Sequence, residues 1–283
     1  MDRFDWLELE STAGPAAQVP KEKAQAEPRR MPHDAPSFYR AAREMRNAGH
    51  FKAATDFYRK AIGFDDRHYG ARVELIDTLV RAGHLDEAEA AANEAYENYK
   101  QVRLFYASRA LVLAHRGRLD EALPCSDVSV EGGERAWYPR CVRGEILLRM
   151  DRSFRFDALD LFEEAANLVR KPWEPEFMAG WVLLDADLYA LAAAHLAEAA
   201  RLNPLVPLCW LCLGDCFREL KFYEQASFYY QRVTELEPAN ELGLQRQREC
   251  GSLVYGLMRA FRRETLIKRW RQELEKNTGM ERE

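Results

Sequence analysis

An all-α solenoid of about six stacked antiparallel helix pairs is the fold class this sequence predicts, and three observations predict it. Gly49, Gly83 and Gly117 stand 34 residues apart, each just before a new helix start. Pro204 and Pro238 keep the same interval nearer the C-terminus, each closing a helix pair. The 283-residue chain is also rich in Leu, Ala, Glu and Arg, with 31% charged residues, the composition of amphipathic helices around an apolar core.

Taken in order, residues 1–36 hold five of the twelve prolines. Their stretch from Ser11 to Arg30 is too rich in Ala, Gln, Glu and Lys to bury a core, so a flexible arm is expected. At its tip Phe4, Trp6, Leu7 and Leu9 are interleaved with Asp2, Asp5, Glu8 and Glu10. That acidic-aromatic pattern suits a short linear motif, docking on a partner or on this chain's own first-helix face.

The segments NAGHFKAA (47–54), RAGHLDEA (81–88) and HRGRLDEA (115–122) then share one layout: helix end, glycine turn, new helix with an alanine one turn in. Glycine permits the left-handed conformation that stops one helix, and Asp86 and Asp120 put negative charge near the next helix start. Ala54, Ala88 and Ala122 let the paired helices approach closely. In the third pair Pro124 falls inside the second helix, which predicts a kink or a shortened helix. In the fourth pair Gly144, Leu147, Ala158, Phe162 and Ala165 keep the pattern, but the segment DRSFRFD is two residues longer than the period. The fifth pair, about 173–206, runs through Gly180, Leu183, Ala192, Leu196, Ala199 and Pro204, with Pro175 near a helix start.

The sixth pair, Pro207 to Asn240, carries Trp210, Leu213, Gly214 and Phe217, then Ala226, Tyr230 and Pro238. These residues resemble the tetratricopeptide signature of Trp, two residues, Leu-Gly, two residues, Tyr, then Ala, three residues, an aromatic and a closing Pro. The chain resembles that family over about residues 37–240. The resemblance implies a right-handed superhelical α-solenoid, a concave surface lined by the first helix of each pair, and function located on that surface. It places Tyr39, Arg43, Val73, Asp77, Val80, Leu111, Glu145, Leu148, Phe177, Trp181, Leu184, Leu211 and Asp215 there, with Arg46, Ala107, Ala114, Cys141 and Arg218 alongside. Read this way, the middle of the groove is apolar and suits an amphipathic helix or an extended hydrophobic segment. A subclass of the family holds the carboxylate of chaperone tails with basic side chains. The corresponding places here are Tyr39, Arg43, Glu74, Leu104 and Ser108, with one basic residue among them, so membership of that subclass is not expected.

The last domain, 241–283, begins with Glu241–Cys250, expected to cap the array. Beyond it Leu253, Leu257, Phe261, Ile267, Trp270 and Leu274 recur at helical spacing opposite Arg259, Arg262, Arg263, Lys268, Arg269 and Arg271. A basic amphipathic helix can meet a partner helix or an anionic membrane, and a solvated cap is the favoured expectation here.

The remaining features narrow the function. A net charge of −5 argues against nucleic-acid binding. The start lacks the pattern of a signal peptide and no apolar run reaches a membrane-spanning length, which predicts a cytoplasmic protein. The six cysteines lie within helical patterns and are expected as free, mostly buried thiols. Cys209, Cys212 and Cys216 share one helix face but want a fourth ligand, so no metal site is assigned. No phosphate loop, His-Glu-x-x-His helix or Gly-x-Ser-x-Gly elbow occurs, and neither a cofactor nor a catalytic residue is expected. The expected role is a non-catalytic scaffold or adaptor binding another protein or peptide. The alternatives are a chaperone shielding a hydrophobic client and a membrane-surface adaptor using the C-terminal helix.

Overall fold

The structure, a computed structural model, describes residues 33–131 and 136–252, together with residues 268, 272 and 273. Among the described residues it is all-α, thirteen α-helices and a short 3-10 turn. The contacts of the described residues divide them into two compact units, one within residues 28–175 and one that begins at residue 176.

The first unit stacks four helix pairs. They are α1 (Ala35–Asn47) with α2 (Phe51–Phe64), α3 (Tyr69–Arg81) with α4 (Leu85–Asn98), α5 (Arg103–His115) with α6 (Leu119–Val130), and α7 (Trp137–Met150) with α8 (Arg155–Asn167). Consecutive helices pack within and between pairs, and the first helices also touch one another, α3 on α5 and α5 on α7. The second unit holds most of α9 (Trp173–Asp185), then α10 (Tyr189–Leu202), the pair α11 (Pro207–Glu219) and α12 (Tyr223–Leu236), and finally α13 (Glu241–Cys250).

Local chemistry accounts for these boundaries. Asp34 caps α1 by accepting from the Ser37 amide at 2.9 Å, while Ser37 Oγ accepts from the Asp34 amide at 3.1 Å. The helix therefore begins at Ala35, inside the expected arm, with Pro36 in its tolerant first turn. Gly49, Gly83 and Gly117 take the predicted left-handed conformation, with φ of 86°, 78° and 78°. At the equivalent turns of later pairs Asp187 and Lys221 adopt it instead, with φ of 58° and 69°. α6 runs through Pro124 as one helix of 12 residues, two fewer than α2, α4, α10 and α12, so the shortening predicted there is what occurs. The insertion after Met150 folds into the 3-10 turn Arg152–Phe154, capped by Asp151, which accepts from the Ser153 amide at 2.7 Å.

Pairs close tightly where the sequence puts a glycine opposite a large residue. A Cβ on Gly214 would lie 2.5 Å from the Tyr230 ring, and Gly144 with Phe162 and Gly180 with Leu196 repeat the arrangement. Ala54, Ala88 and Ala122 are fully buried, as close approach requires. All six cysteines are free thiols, five of them buried and Cys125 half-buried. No described helix is long and apolar enough to cross a membrane.

Candidate partner-binding faces

Side chains recurring every 34 residues, or 36 across the insertion, form rows along the first helices. One row runs Arg43, Asp77, Leu111, Glu145, Trp181, Asp215 and another runs Asn47, Arg81, His115, Arg149. In the unit of residues 28–175, Tyr39 and Arg43 are half-buried, whereas Val73, Asp77, Val80, Leu111, Glu145 and Leu148 are buried. The sequence expectation of an apolar middle needs correction. The middle is built around charge.

Glu145, 2% exposed, sits at the centre of it. Arg81 reaches from α3 past α5 and donates to both carboxylate oxygens, Nη1 to Oε1 at 3.0 Å and Nη2 to Oε2 at 2.6 Å. This is the bidentate fork geometry that guanidinium matches best. His115 Nε2 lies 2.7 Å from Oε1 and Arg149 Nε donates to the same oxygen at 3.2 Å. Burial alone would raise the Glu145 pKa, but Arg81 and His115 overcome it and hold the carboxyl well below the usual carboxylate range. Arg81 Nε also lies 3.6 Å from Asp77 Oδ1, an oxygen that accepts no hydrogen bond. The Tyr138 hydroxyl, on α7 beside Ser108 and within the field of Asp77, Arg81 and Glu145, is buried, and that burial pushes its pKa well above normal.

A second cluster ties α1 to its neighbours. Glu74 on α3 accepts from Tyr39 Oη, from Tyr58 Oη at 2.7 Å and from Arg46 Nη1 at 3.1 Å. Arg43 Nε stands 3.5 Å from Glu74 and its Nη2 pairs with Glu174. Glu74 thus gathers hydrogen bonds from both α1 and α2, so this cluster ties those helices to α3, and it accounts for Tyr39.

In the unit from residue 176 the face is different. Phe177 and Leu211 are buried, while Trp181, Leu184, Asp215 and Arg218 are half-buried. The Trp181 ring meets Phe177 edge-on at 5.4 Å. On α11, Asp215 Oδ1 accepts from Tyr230 Oη at 2.7 Å, and Arg218 Nη1 and Arg246 Nε stand 3.4 and 3.6 Å from the same oxygen. Neither of those nitrogens makes a hydrogen bond, although each is itself buried. Burial raises the Asp215 pKa, against the lowering by Tyr230. Glu176 and His195, both buried, pair at 2.6 Å. Cys209, Cys212 and Cys216 are buried on α11, and the described residues contain no cluster of three or more His, Cys, Asp or Glu arranged to hold a metal ion.

The helices α11 and α12, with their glycine-to-tyrosine contact and left-handed turn at Lys221, coincide with residues 209–240, which match the family model of the tetratricopeptide repeat. The chain carries a tetratricopeptide repeat. Among curated proteins no sequence relative is found. Among solved structures, the tetratricopeptide-repeat protein YrrB, described as having an unusual peptide-binding site, is 17% identical, over 68% of this chain and 97% of its own, with a TM-score of 0.40. TTC0263, a tetratricopeptide-repeat protein of Thermus thermophilus, is 16% identical over 76% of this chain and 98% of its own, with a TM-score of 0.44. The Cut9–Hcn1 hetero-tetramer gives 14% identity over 79% of this chain but 44% of the matched one, with a TM-score of 0.46.

Arg81, His115 and Arg149 escaped the sequence reading although they recur at the interval that located the glycine turns. The acidic-aromatic tip with Phe4, Trp6, Leu7 and Leu9 lies outside the described residues, as does the basic stretch 253–267.

Proposed function

We propose that the chain is a non-catalytic scaffold that holds another polypeptide on the first-helix face of α9 and α11. The supporting observation is the pair of buried guanidinium donors, Arg218 Nη1 and Arg246 Nε, left without hydrogen bonds beside Asp215, where Arg218 continues the register row of half-buried Leu184 and Asp215 that of half-buried Trp181. Buried donors are costly to leave unmatched, and an incoming segment can supply the acceptor. The local charges set its kind. Asp215, Glu219 and Glu249 outnumber Arg218 and Arg246, so a neutral backbone carbonyl fits better than a carboxylate. Trp181 and Leu184 supply the apolar contact, with the aromatic as anchor.

The test is affinity capture with full-length protein and with Trp181→Ala and Leu184→Ser variants whose melting temperatures match the parent. A partner held on this face is expected to lose about tenfold or more in affinity with Trp181→Ala, the scale of an aromatic anchor. Partners retained at parental affinity by both variants would place binding elsewhere on the chain.

A further inference from the structure

The turn inserted into the fourth pair does more than lengthen a connection. Met150, Phe154 and Phe156 are 40%, 38% and 42% exposed, so three of the eight large apolar side chains left exposed among the described residues fall between residues 150 and 156. The repeat does not require this. Phe156 stands two residues before the buried Ala158, and the same exposed place holds Lys52, Asp86, Asp120 and Glu224 in other pairs. Apolar side chains gathered where the other pairs carry charge mark a contact surface.

The surface is shaped in advance and basic. The Asp151 carboxylate accepts from the Ser153 amide at 2.7 Å and its carbonyl from the Phe154 amide at 3.1 Å, which fixes the 3-10 turn where it packs against α7 and α8. The Arg155 guanidinium lies 4.4 Å from the centre of the Phe156 ring. Between residues 149 and 157, Arg149, Arg152 and Arg155 outnumber Asp151 and Asp157, on a chain whose net charge is −5. We infer that this turn is the docking surface for the chain's own residues 2–10. That segment, outside the described residues, has the complementary composition: Phe4, Trp6, Leu7 and Leu9 for Met150 and the two rings, Asp5 and Glu8 for Arg152 and Arg155. Its tether reaches. The 22 residues 11–32 can extend to about 75 Å, whereas the six helix-to-helix steps from α1 to α7 come to about 60 Å at most. A tethered segment is present at an effective concentration of order millimolar, so contacts of modest strength suffice to seat it.

The full chain with Phe4→p-benzoylphenylalanine, irradiated and mapped by mass spectrometry, tests this directly. Cross-links are expected within residues 149–157. Phe154→Ser combined with Phe156→Ser, both at exposed positions, should keep the melting temperature and lower the cross-link yield about tenfold or more. Arg152→Glu combined with Arg155→Glu should lower it about two- to fivefold, the range of screened charge pairs. Adding Asp5→Lys and Glu8→Lys to that variant should bring the yield back to within about twofold, a recovery that damage to the turn alone would not allow. In an equal mixture of unlabelled and 15N-labelled protein, each cross-linked pair should carry a single isotope. Cross-links concentrated elsewhere on the chain overturn the proposal, as does a yield unchanged by the two serines. Pairs of mixed isotope overturn it in favour of a second copy. Absent cross-links, with binding to phosphatidylserine vesicles that the two serines abolish, would assign the turn to a lipid surface instead.

Discussion

Replacing Glu145 with Gln removes the negative charge on which three basic side chains converge, and the cost can be worked from the geometry. Arg81 is left 5% exposed with Asp77 at 3.6 Å as its remaining acidic neighbour, and it loses a charged bidentate acceptor at 2.6 and 3.0 Å. Breaking one side of a buried pair costs about 3–5 kcal/mol, because the surviving charge stays desolvated without compensation. For a unit of this size that is a fall of roughly 6–20 °C in melting temperature, read by circular dichroism at pH 7. Acid adds a signed check. The Glu145 pKa is depressed on folding, so its stabilisation is complete above the unfolded carboxylate value near 4.3 and fades as pH falls toward the lower folded value. The gap between parent and variant should therefore be constant from pH 7 to about 5 and narrow below about 4. Arg81→Met combined with Glu145→Met should recover most of the loss, since a matched apolar pair carries no desolvation penalty. A change below about 1 kcal/mol in Glu145→Gln, or a gap that widens in acid, would refute the reasoning.

Other consequences are open to direct measurement. Lys221 holds a φ of 69° that glycine adopts without penalty, so Lys221→Gly should raise stability by about 1 kcal/mol in urea unfolding, and a loss would show that the side chain packs usefully. Gly214→Ala should lower stability by about 1–3 kcal/mol, because its Cβ would lie 2.5 Å from the Tyr230 ring. Gly83→Ala meets no atom within 4 Å, so any loss there, about 1 kcal/mol in thermal unfolding, comes from its φ of 78° alone.

The repeat was legible because its punctuation is local. A left-handed turn needs glycine, a close helix crossing needs a small residue, and both needs return every 34 residues as letters in the sequence. Even the exceptions follow from the same rule: Asp187 and Lys221 occupy the glycine place, tolerated at a strain the surrounding packing outweighs. Glu241–Cys250 emerged as a helix with the bounds read for it. The first-helix face was less legible for a reason of geometry. Arg81, His115 and Arg149 sit in the last turn of their helices, where a basic residue ordinarily complements the helix dipole and faces water. Whether such a side chain points outward or converges on a shared carboxylate depends on the curvature of the stack, which no single helix encodes. The row of Asp77, Leu111 and Glu145 has the same ambiguity, and the three residues went into the interior.

Arrays of this kind are commonly treated as a line of links, each coupled to the next alone, which lets them fray from the ends one link at a time. The bond from Arg81 to Glu145 skips a link, and that from Arg43 to Glu174 skips three. A chain with such cross-ties behaves less like a zip and more like a truss. Losing α3 and α4 should be felt at α7, excising one whole pair should break the register of every tie that spans it, and the unit of residues 28–175 is expected to melt as a single block.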